Sequence, residues 1–484
     1  MHTLTLPLFT QLLSKKGIVP VEQFPEDSCL MFSTPPEIED RAKIRFILGP
    51  HIRFERGQEE QVSRLIKHWR AKLSPELESA SDGDSENQLD NEYLKDLASD
   101  APVIRLVNHL MERALDLNAS DIHFEPEEKH LSVRCRVDGV MVNIERLPAT
   151  VQPAVSSRIK LMARLDIGEK RLPQDGRIQY SMGERTLDMR VSTLPGVHGE
   201  SIVLRLLDRS DVTVSLDQLG MPPDVLTAFS YIIQQPHGMV LVTGPTGSGK
   251  TTTLYGTLEK INTGTQKIIT IEDPVEYQLE GITQIHVNHK IGLTFSSGLR
   301  SIVRQDPDII MVGEIRDHET AEIAIESALT GHLVFSTLHT NDAAGAITRL
   351  QDMGIDTYLI SSSVMAIMAQ RLVRKVCEHC AVELSLTPQE EDLLKINRHD
   401  YPKIRRGKGC ERCAQTGYRG RLGLYELLVI SDDIRHVVST GGDANLIRTE
   451  AIKEGMRTLR QDALEKLRAG ITTPEEIVRV TRAA

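Results

Sequence analysis

Aromatic residues are scarce, 4% of the chain with a single Trp. A surplus of positive charge is missing as well: 57 Lys and Arg stand against 68 Asp and Glu, a net charge of −11. A protein that coats nucleic acid carries a basic track with aromatic platforms on which bases stack. That class is disfavoured, and nucleic acid is not expected as a partner, although a local basic patch stays open. No run approaches the 18 apolar residues that a membrane-spanning helix needs, and MHTLTLPLFTQLLSKKGIVP has no positive region ahead of its apolar residues. The expectation is a cytoplasmic protein without a secretory signal. Cysteine is also sparse, and four of the six cysteines form two close pairs, which in a reducing compartment points to metal before disulfides.

What is present divides the chain. At 484 residues it is too long for one core. Between Ser74 and Glu92 lie seven acidic residues and no basic one, set among Ser, Gly and Asn. Such a stretch buries too little apolar surface to offset its chain entropy, so residues 74–99 are expected to be a flexible linker and residues 1–73 a small docking domain. Residues 100–215 read as an α+β domain, with a helical pattern in VIRLVNHLMERALDL and alternating strands in HLSVRCRVDGVMVNIERL and RIQYSMGERTLDMRVSTL. From residue 216 apolar strands alternate with helices (GMVLVTG, KIITIEDP, PDIIMVGE, HLVFSTLH), which predicts a parallel sheet with crossover helices.

The strand MVLV runs into GPTGSGKT and then a helical pattern, the strand-loop-helix context of a phosphate-binding loop. Gly244, Pro245, Thr246, Gly247, Ser248, Gly249, Lys250, Thr251 and Thr252 are the candidate nucleotide-binding residues. The glycines let backbone N–H groups face the phosphates at the positive end of a helix. Lys250 is expected at the β- and γ-phosphates and Thr251 on Mg²⁺. In an open parallel sheet ligands bind at the carboxyl ends of strands. KIITI ends in Glu272, Asp273 and Glu276, and DIIMV in Gly313-Glu314, where a carboxylate on a rigid base meets the γ-phosphate. Arg300 and Arg304, four apart, share a helical face: either a solvated basic face or guanidinium groups for transferring phosphate, within or across a subunit boundary.

Cys377-x-x-Cys380 and Cys410-x-x-Cys413 suit a closed tetrahedral Zn²⁺ site, structural because four thiolates leave no open position. Cys29 and Cys135 read as packing residues. In TGHLVFSTLHTND, His332 and His339 bracket one strand and stand too far apart to share an ion. Strand polarity puts His339 beside the phosphate loop, where it senses the γ-phosphate or attacking water, and His332 at a helix-strand corner.

Taken together, GPTGSGKTTTLY, ITIEDPVEY, LRSIVRQDPDIIMVGEIRD and TGHLVFSTLHTNDAAGAITRL resemble the Walker A, aspartate-box, Walker B and histidine-box sequences of the secretion ATPase superfamily. Within it the chain is similar to the type II secretion ATPases, the general secretory pathway protein E family, from about Ala101 onward. NASDIHFEP, RCRVDG, GEKRLPQDGRI, GYRGRLGLYELL and GITTPEEIVRV carry that likeness further. The resemblance implies a RecA-like P-loop ATPase domain preceded by a PAS-like α+β domain, with an inserted Cys₄ zinc element at about 374–425 and a helical C-terminal region. It implies ATP, Mg²⁺ and Zn²⁺ as cofactors. It also implies a homo-hexamer, peripheral at the cytoplasmic face of the inner membrane and docked on secretion-platform proteins through residues 1–73, which drives pseudopilin assembly and protein export. Glu276 and Glu314 match the family's catalytic carboxylates, and Arg190, Arg205, Arg300 and Arg304 match arginines that reach nucleotide. The alternatives are a type IV pilus assembly ATPase, a nucleic-acid motor and a nucleotide-gated scaffold. A retraction motor is disfavoured, since those chains lack the tetracysteine element and the extra N-terminal domain.

Overall fold

The computed structural model describes residues 18–20, 29–32, 53–58, 61–62, 64–65, 101–182, 185–208, 215–401 and 403–481. The expected linker 74–99 and most of the expected docking domain lie outside the described residues. The chain divides into two units, Met1–Asp96 and Leu97–Ala484. In the first, β1 (Ile18–Pro20) is antiparallel and β3 (Arg53–Arg56) parallel to β2 (Cys29–Phe32), with Ile18, Leu30 and Phe32 buried together.

In the second unit α1 (Ala101–Asp116) buries Val103, Val107, Leu110, Met111 and Ala114, one stripe of a 3.6-residue helix. It leads into β4 (Ala119–Pro126), β5 (His130–Val137), β6 (Val140–Pro148), α2 (Gln152–Met162), β7 (Gln174–Met182), β8 (Arg185–Gly196) and β9 (Gly199–Asp208). These strands form one antiparallel sheet in the order β6-β5-β4-β9-β8-β7. Asp138 and Gly139, at φ 50 and 84, make the tight β5–β6 turn. Buried residues of α1 and α2 share one core with Ile122, Phe124 and Leu204 of the sheet.

After α3 (Pro223–Ile232), β10 (Gly238–Thr243), α4 (Lys250–Ile261), β11 (Ile268–Glu272), β12 (Thr283–His286), α5 (Phe295–Ile302), β13 (Ile309–Val312), α6 (His318–Leu329), β14 (Leu333–Leu338), α7 (Ala343–Asp352), α8 (Thr357–Ser363) and β15 (Val364–Val376) follow. Then β16 (Ala381–Leu384), α9 (Pro388–Leu394) and β17 (Ile404–Gly407) lead to β18 (Tyr418–Val429). The helices α10 (Asp432–Ser439), α11 (Ala444–Lys453), α12 (Leu459–Arg468) and α13 (Pro474–Thr481) close the chain. The order β12-β11-β13-β14-β10-β15-β18 forms one sheet. Every residue of β10, β11, β13 and β14 is buried, as helices on both faces require. Along β10 the period of two is plain: Met239 and Leu241 join the core on one face, Val240 and Val242 the core on the other.

The expectation of a parallel sheet needs one correction, at its edge. β18 runs antiparallel to β15 over Ala366↔Val429 to Val376↔Tyr418. The chain returns from the cysteine-bearing insertion directly alongside the strand it left, and antiparallel neighbours need no crossover helix.

Candidate functional site

Four parallel strands deliver their carboxyl ends to one edge. There β10 ends in Thr243, whose hydroxyl lies 2.7 Å from that of Thr340 and accepts the Thr340 N–H at 2.9 Å, joining the strand to the segment after β14. Gly244 and Gly249 are required by more than conformational freedom. At φ 152 a Cβ on Gly244 would meet the Gln370 carbonyl oxygen at 2.4 Å, and at φ 89 one on Gly249 would meet the Gln370 amide at 2.8 Å. Pro245, Thr246 and Gly247 are exposed on the loop, Ser248 is buried, and α4 begins at Lys250 with Thr251 exposed and Thr252 half-buried in its first turn. The free N–H groups of that turn and the helix dipole make the edge a receptor for phosphate. The Lys250 ammonium donates to the carbonyls of Gly244 at 2.8 Å and Pro245 at 3.2 Å. Burial draws its pKa down to about 8; Arg371 adds to the effect and the Glu314 carboxylate opposes it.

Glu314 follows β13, where its backbone is held on both sides: Gly313 N–H bonds to Ile271 and Ile315 N–H to Thr337. The carboxylate accepts from Arg316 at 2.6 Å and lies 3.4 Å from His339 Nε2. Burial and the Lys250 charge lower the pKa of His339 from its ordinary value, against the pull of the Glu314 carboxylate. The two residues expected to flank the γ-phosphate thus meet at the loop edge. His332, at the other end of β14, bonds through Nδ1 to the Ser327 carbonyl at 2.9 Å, and its own carbonyl accepts the Gly238 N–H at 3.1 Å. It closes the α6–β14 corner.

Glu276 is partly exposed and pairs with Arg190 of β8 at 3.2 Å, so the antiparallel domain reaches the carboxylate that follows β11. Arg205 stands directly opposite Arg190 in the β8–β9 register, yet its Nε donates to Asp121 at 3.1 Å. Arg300 pairs with Glu319. Arg304 does not continue the helix: α5 ends at Ile302, and Arg304 lies in a 3-10 turn before the amino end of β13, its Nη1 donating to the Arg300 carbonyl at 2.7 Å. This places Arg304 at the sheet edge opposite the phosphate loop of its own chain.

The four paired cysteines converge beyond β15 and before β18. Their sulfurs all lie within 4.8 Å of one another, with Cys377–Cys410 and Cys380–Cys413 at 3.9 Å and Cys410–Cys413 at 3.6 Å. These distances are far beyond a disulfide's, whereas a tetrahedral Zn²⁺ with Zn–S of about 2.3 Å spaces its sulfurs by about 3.8 Å. Cys413 Sγ also accepts N–H bonds from Cys410 and Gly417, which favour a thiolate.

The family model described as Type II/IV secretion system protein matches residues 96–479. The chain belongs to that family. It is an ATP-hydrolysing secretion ATPase, and the resemblance read in its motifs to the type II secretion ATPases is borne out. Type II secretion system protein E of Xanthomonas campestris pv. campestris is 51% identical over 447 residues, covering 91% of this chain and 79% of that protein. Type II secretion system protein HxcR of Pseudomonas aeruginosa is 52% identical over 391 residues, with 81% and 80% covered. Among solved structures, the pilus retraction motor PilT with bound ADP superposes with a TM-score of 0.52 at 28% identity, covering 77% of this chain and 95% of that one. The Legionella pneumophila ATPase DotB shares the fold, with a TM-score of 0.58 at 23% identity over 78% and 96%. Among the described residues no helix of this secretion ATPase is long and apolar enough to cross a membrane.

Two groups at its site have roles that the motifs do not give. Glu272, the acid nearest the end of β11, is buried and accepts from the Tyr255 hydroxyl, Thr270 Oγ1 at 2.5 Å and Gln284 Nε2 at 3.1 Å. It is fully engaged in holding the strand, which leaves Asp273, Glu276 and Glu314 as the accessible carboxylates. Gln370, which packs on both Gly244 and Gly249, accepts the Thr253 hydroxyl at 2.8 Å. Its signal was a Gln-Arg pair inside the apolar run VMAIMAQRLV, since polar side chains survive in a buried strand only when something satisfies them.

Proposed function

We propose that the chain is the ATPase of a type II secretion system, in which six copies hydrolyse ATP to drive pseudopilus assembly and protein export. The pairing of Glu314 with His339 at the phosphate-loop edge carries the catalytic reading. The loop residues 244–252 bind the phosphates, Lys250 turns from the loop carbonyls to the β- and γ-oxygens, and Glu314 orients the attacking water and accepts its proton. His339 reports the γ-phosphate through one hydrogen bond. The Thr251 hydroxyl would hold Mg²⁺, which supplies charge neutralisation on the phosphates, and the four cysteines would hold a structural Zn²⁺. Arg190, tied to Glu276, couples the antiparallel domain to the nucleotide edge. Arg205, on the strand beside Arg190, reaches nucleotide when the antiparallel domain closes over it, while the exposed Arg300 and Arg304 act on transferring phosphate, Arg304 on a neighbouring copy's since it stands at the edge opposite its own loop.

The docking domain 1–73 attaches the hexamer to inner-membrane platform proteins, and residues 74–99 allow it to move. Turnover by the assembled chain against its Glu314→Gln variant tests the core of this reading. A fall of about 10²–10⁴-fold is expected for losing the water-activating group. Equal rates would remove Glu314 from catalysis. Co-purification of the full chain with membrane proteins separates secretion from the pilus-assembly alternative by which platform is recovered.

A further inference from the structure

We propose that Arg371 is a positioning residue for ATP turnover, fixing the segment that carries His339 against the phosphate loop. The register sets its place. Thr243 is paired with Ala369, so Gln370 and Arg371 are the next two residues of β15, running alongside Gly244 where β10 has already become loop. Side chains alternate across a strand, and these two go to opposite faces. Gln370 bonds to Thr253 on α4, whereas Arg371 turns to the segment after β14. Its Nη2 donates to the Asn341 carbonyl at 2.9 Å and to the Asn341 side-chain oxygen at 3.0 Å. Asn341 lies two residues after His339.

One planar group therefore spans the base of the phosphate loop and the strand end bearing His339. Only 5% of Arg371 is exposed, and a cation is expensive to bury unless its neighbourhood answers it. The nearest acids, Asp342 and Glu426, favour its charge but bond elsewhere. Asp342 caps α7 through the Gly345 N–H at 2.7 Å and takes Arg448, while Glu426 accepts the N–H groups of Ala343 at 2.9 Å and Leu459 at 3.2 Å. The guanidinium's own hydrogen bonds thus go to neutral groups, Nη2 to Asn341 of the γ-phosphate-facing segment and Nη1, at 3.5 Å, to the Gln370 carbonyl beside the phosphate loop. A buried charge retained for stability alone would be paired directly with an acid. Here its geometry is used to aim a loop, which a rigid fork does and an ammonium does not.

The proposal rests on the ATPase reading above, and its test keeps the two apart. Arg371→Lys and Arg371→Gln would be compared with the parent and with Glu314→Gln, all as the assembled full chain. Steady-state turnover and the affinity for a fluorescent ADP analogue would be measured. The expected result is a kcat lowered about 10- to 100-fold in both Arg371 variants, with KM and ADP affinity within about threefold of the parent. Lysine fails to rescue because charge without the fork does not hold Asn341. Asn341→Ala combined with Arg371→Gln should cost no more than the worse single variant.

A parent-like kcat in Arg371→Gln while Glu314→Gln is inactive would overturn this proposal and leave the ATPase reading standing. Loss of ADP affinity in step with kcat would also overturn it, since that marks a residue that merely holds the fold. An unreactive parent would remove both.

Discussion

Replacing Glu476 with Gln perturbs a carboxylate that is 1% exposed on α13 and surrounded by donors. It accepts the Arg374 N–H at 2.9 Å and the Arg374 guanidinium at 2.7 Å. Arg479 Nε and Nη2 add bonds at 2.9 and 2.7 Å. Burial opposes the charge, but these donors prevail and hold its pKa down to about 2, against an ordinary 4.5. That gap corresponds to about 3 kcal/mol of stability at pH 7, which matches the cost of about 3–5 kcal/mol for breaking one side of a buried ion pair. Because the folded-state pKa is depressed, the contribution is complete above the unfolded value. It fades as pH falls from about 4.5 toward 2, leaving about 1 kcal/mol at pH 3. Hydrogen exchange of peptides covering β15 and α13, corrected for intrinsic rates, reads the opening free energy locally. E476Q should speed that exchange about 100-fold relative to the parent at pH 7 and only about tenfold at pH 3, other titrating groups being common to both proteins and cancelling. A difference of the same size at both pH values would refute the electrostatic account and leave a packing defect in its place.

Gly244→Ala should abolish nucleotide binding measured by fluorescent ADP, because its Cβ would meet a backbone oxygen of β15 at 2.4 Å that has nowhere to move. His332→Ala should lower stability by about 1 kcal/mol through loss of the corner bond, read as a fall in melting temperature with little change in kcat, whereas His339→Ala should lower kcat with little change in melting. Stripping metal with a strong chelator, or substituting Cys413 with Ser, should release about one zinc per chain by atomic absorption and expose residues 377–417 to protease, with the phosphate loop still able to bind nucleotide.

The phosphate loop and Glu314 were legible because each is a short segment whose neighbours in sequence are also its neighbours in space: a strand, a turn and a helix start. The strands of the central sheet were legible wherever both faces are buried, as in MVLV and DIIMV. β18 and the far half of β15 were not. YRGRLGLYELLV mixes exposed and buried residues because its amino half pairs only with the part of β15 that has run past the end of β10. The arginines were the least legible, since their motif spacing says nothing of what they meet. Arg190 finds Glu276, whereas Arg205, opposite it in register, is held by Asp121. Glu272 shows the same limit from the other direction. An acid at a strand end beside a phosphate loop resembles a catalytic group until Tyr255, Thr270 and Gln284 are seen around it.

β15 is shared by two regions that have no chemistry in common. From Ala369, beside the end of the phosphate-loop strand, it continues to Val376, the residue before Cys377, a run of about 23 Å at about 3.3 Å per residue. Over that run it is clamped to β18 on one side and to α13 through Arg374 and Glu476. A strand clamped on two sides over this length would carry a tilt at the nucleotide edge toward its far end. A tilt of about 5° there would displace the cysteine knob by about 2 Å. Any such tilt would reach the knob enlarged, and a metal held by the four thiolates would keep that end from absorbing it.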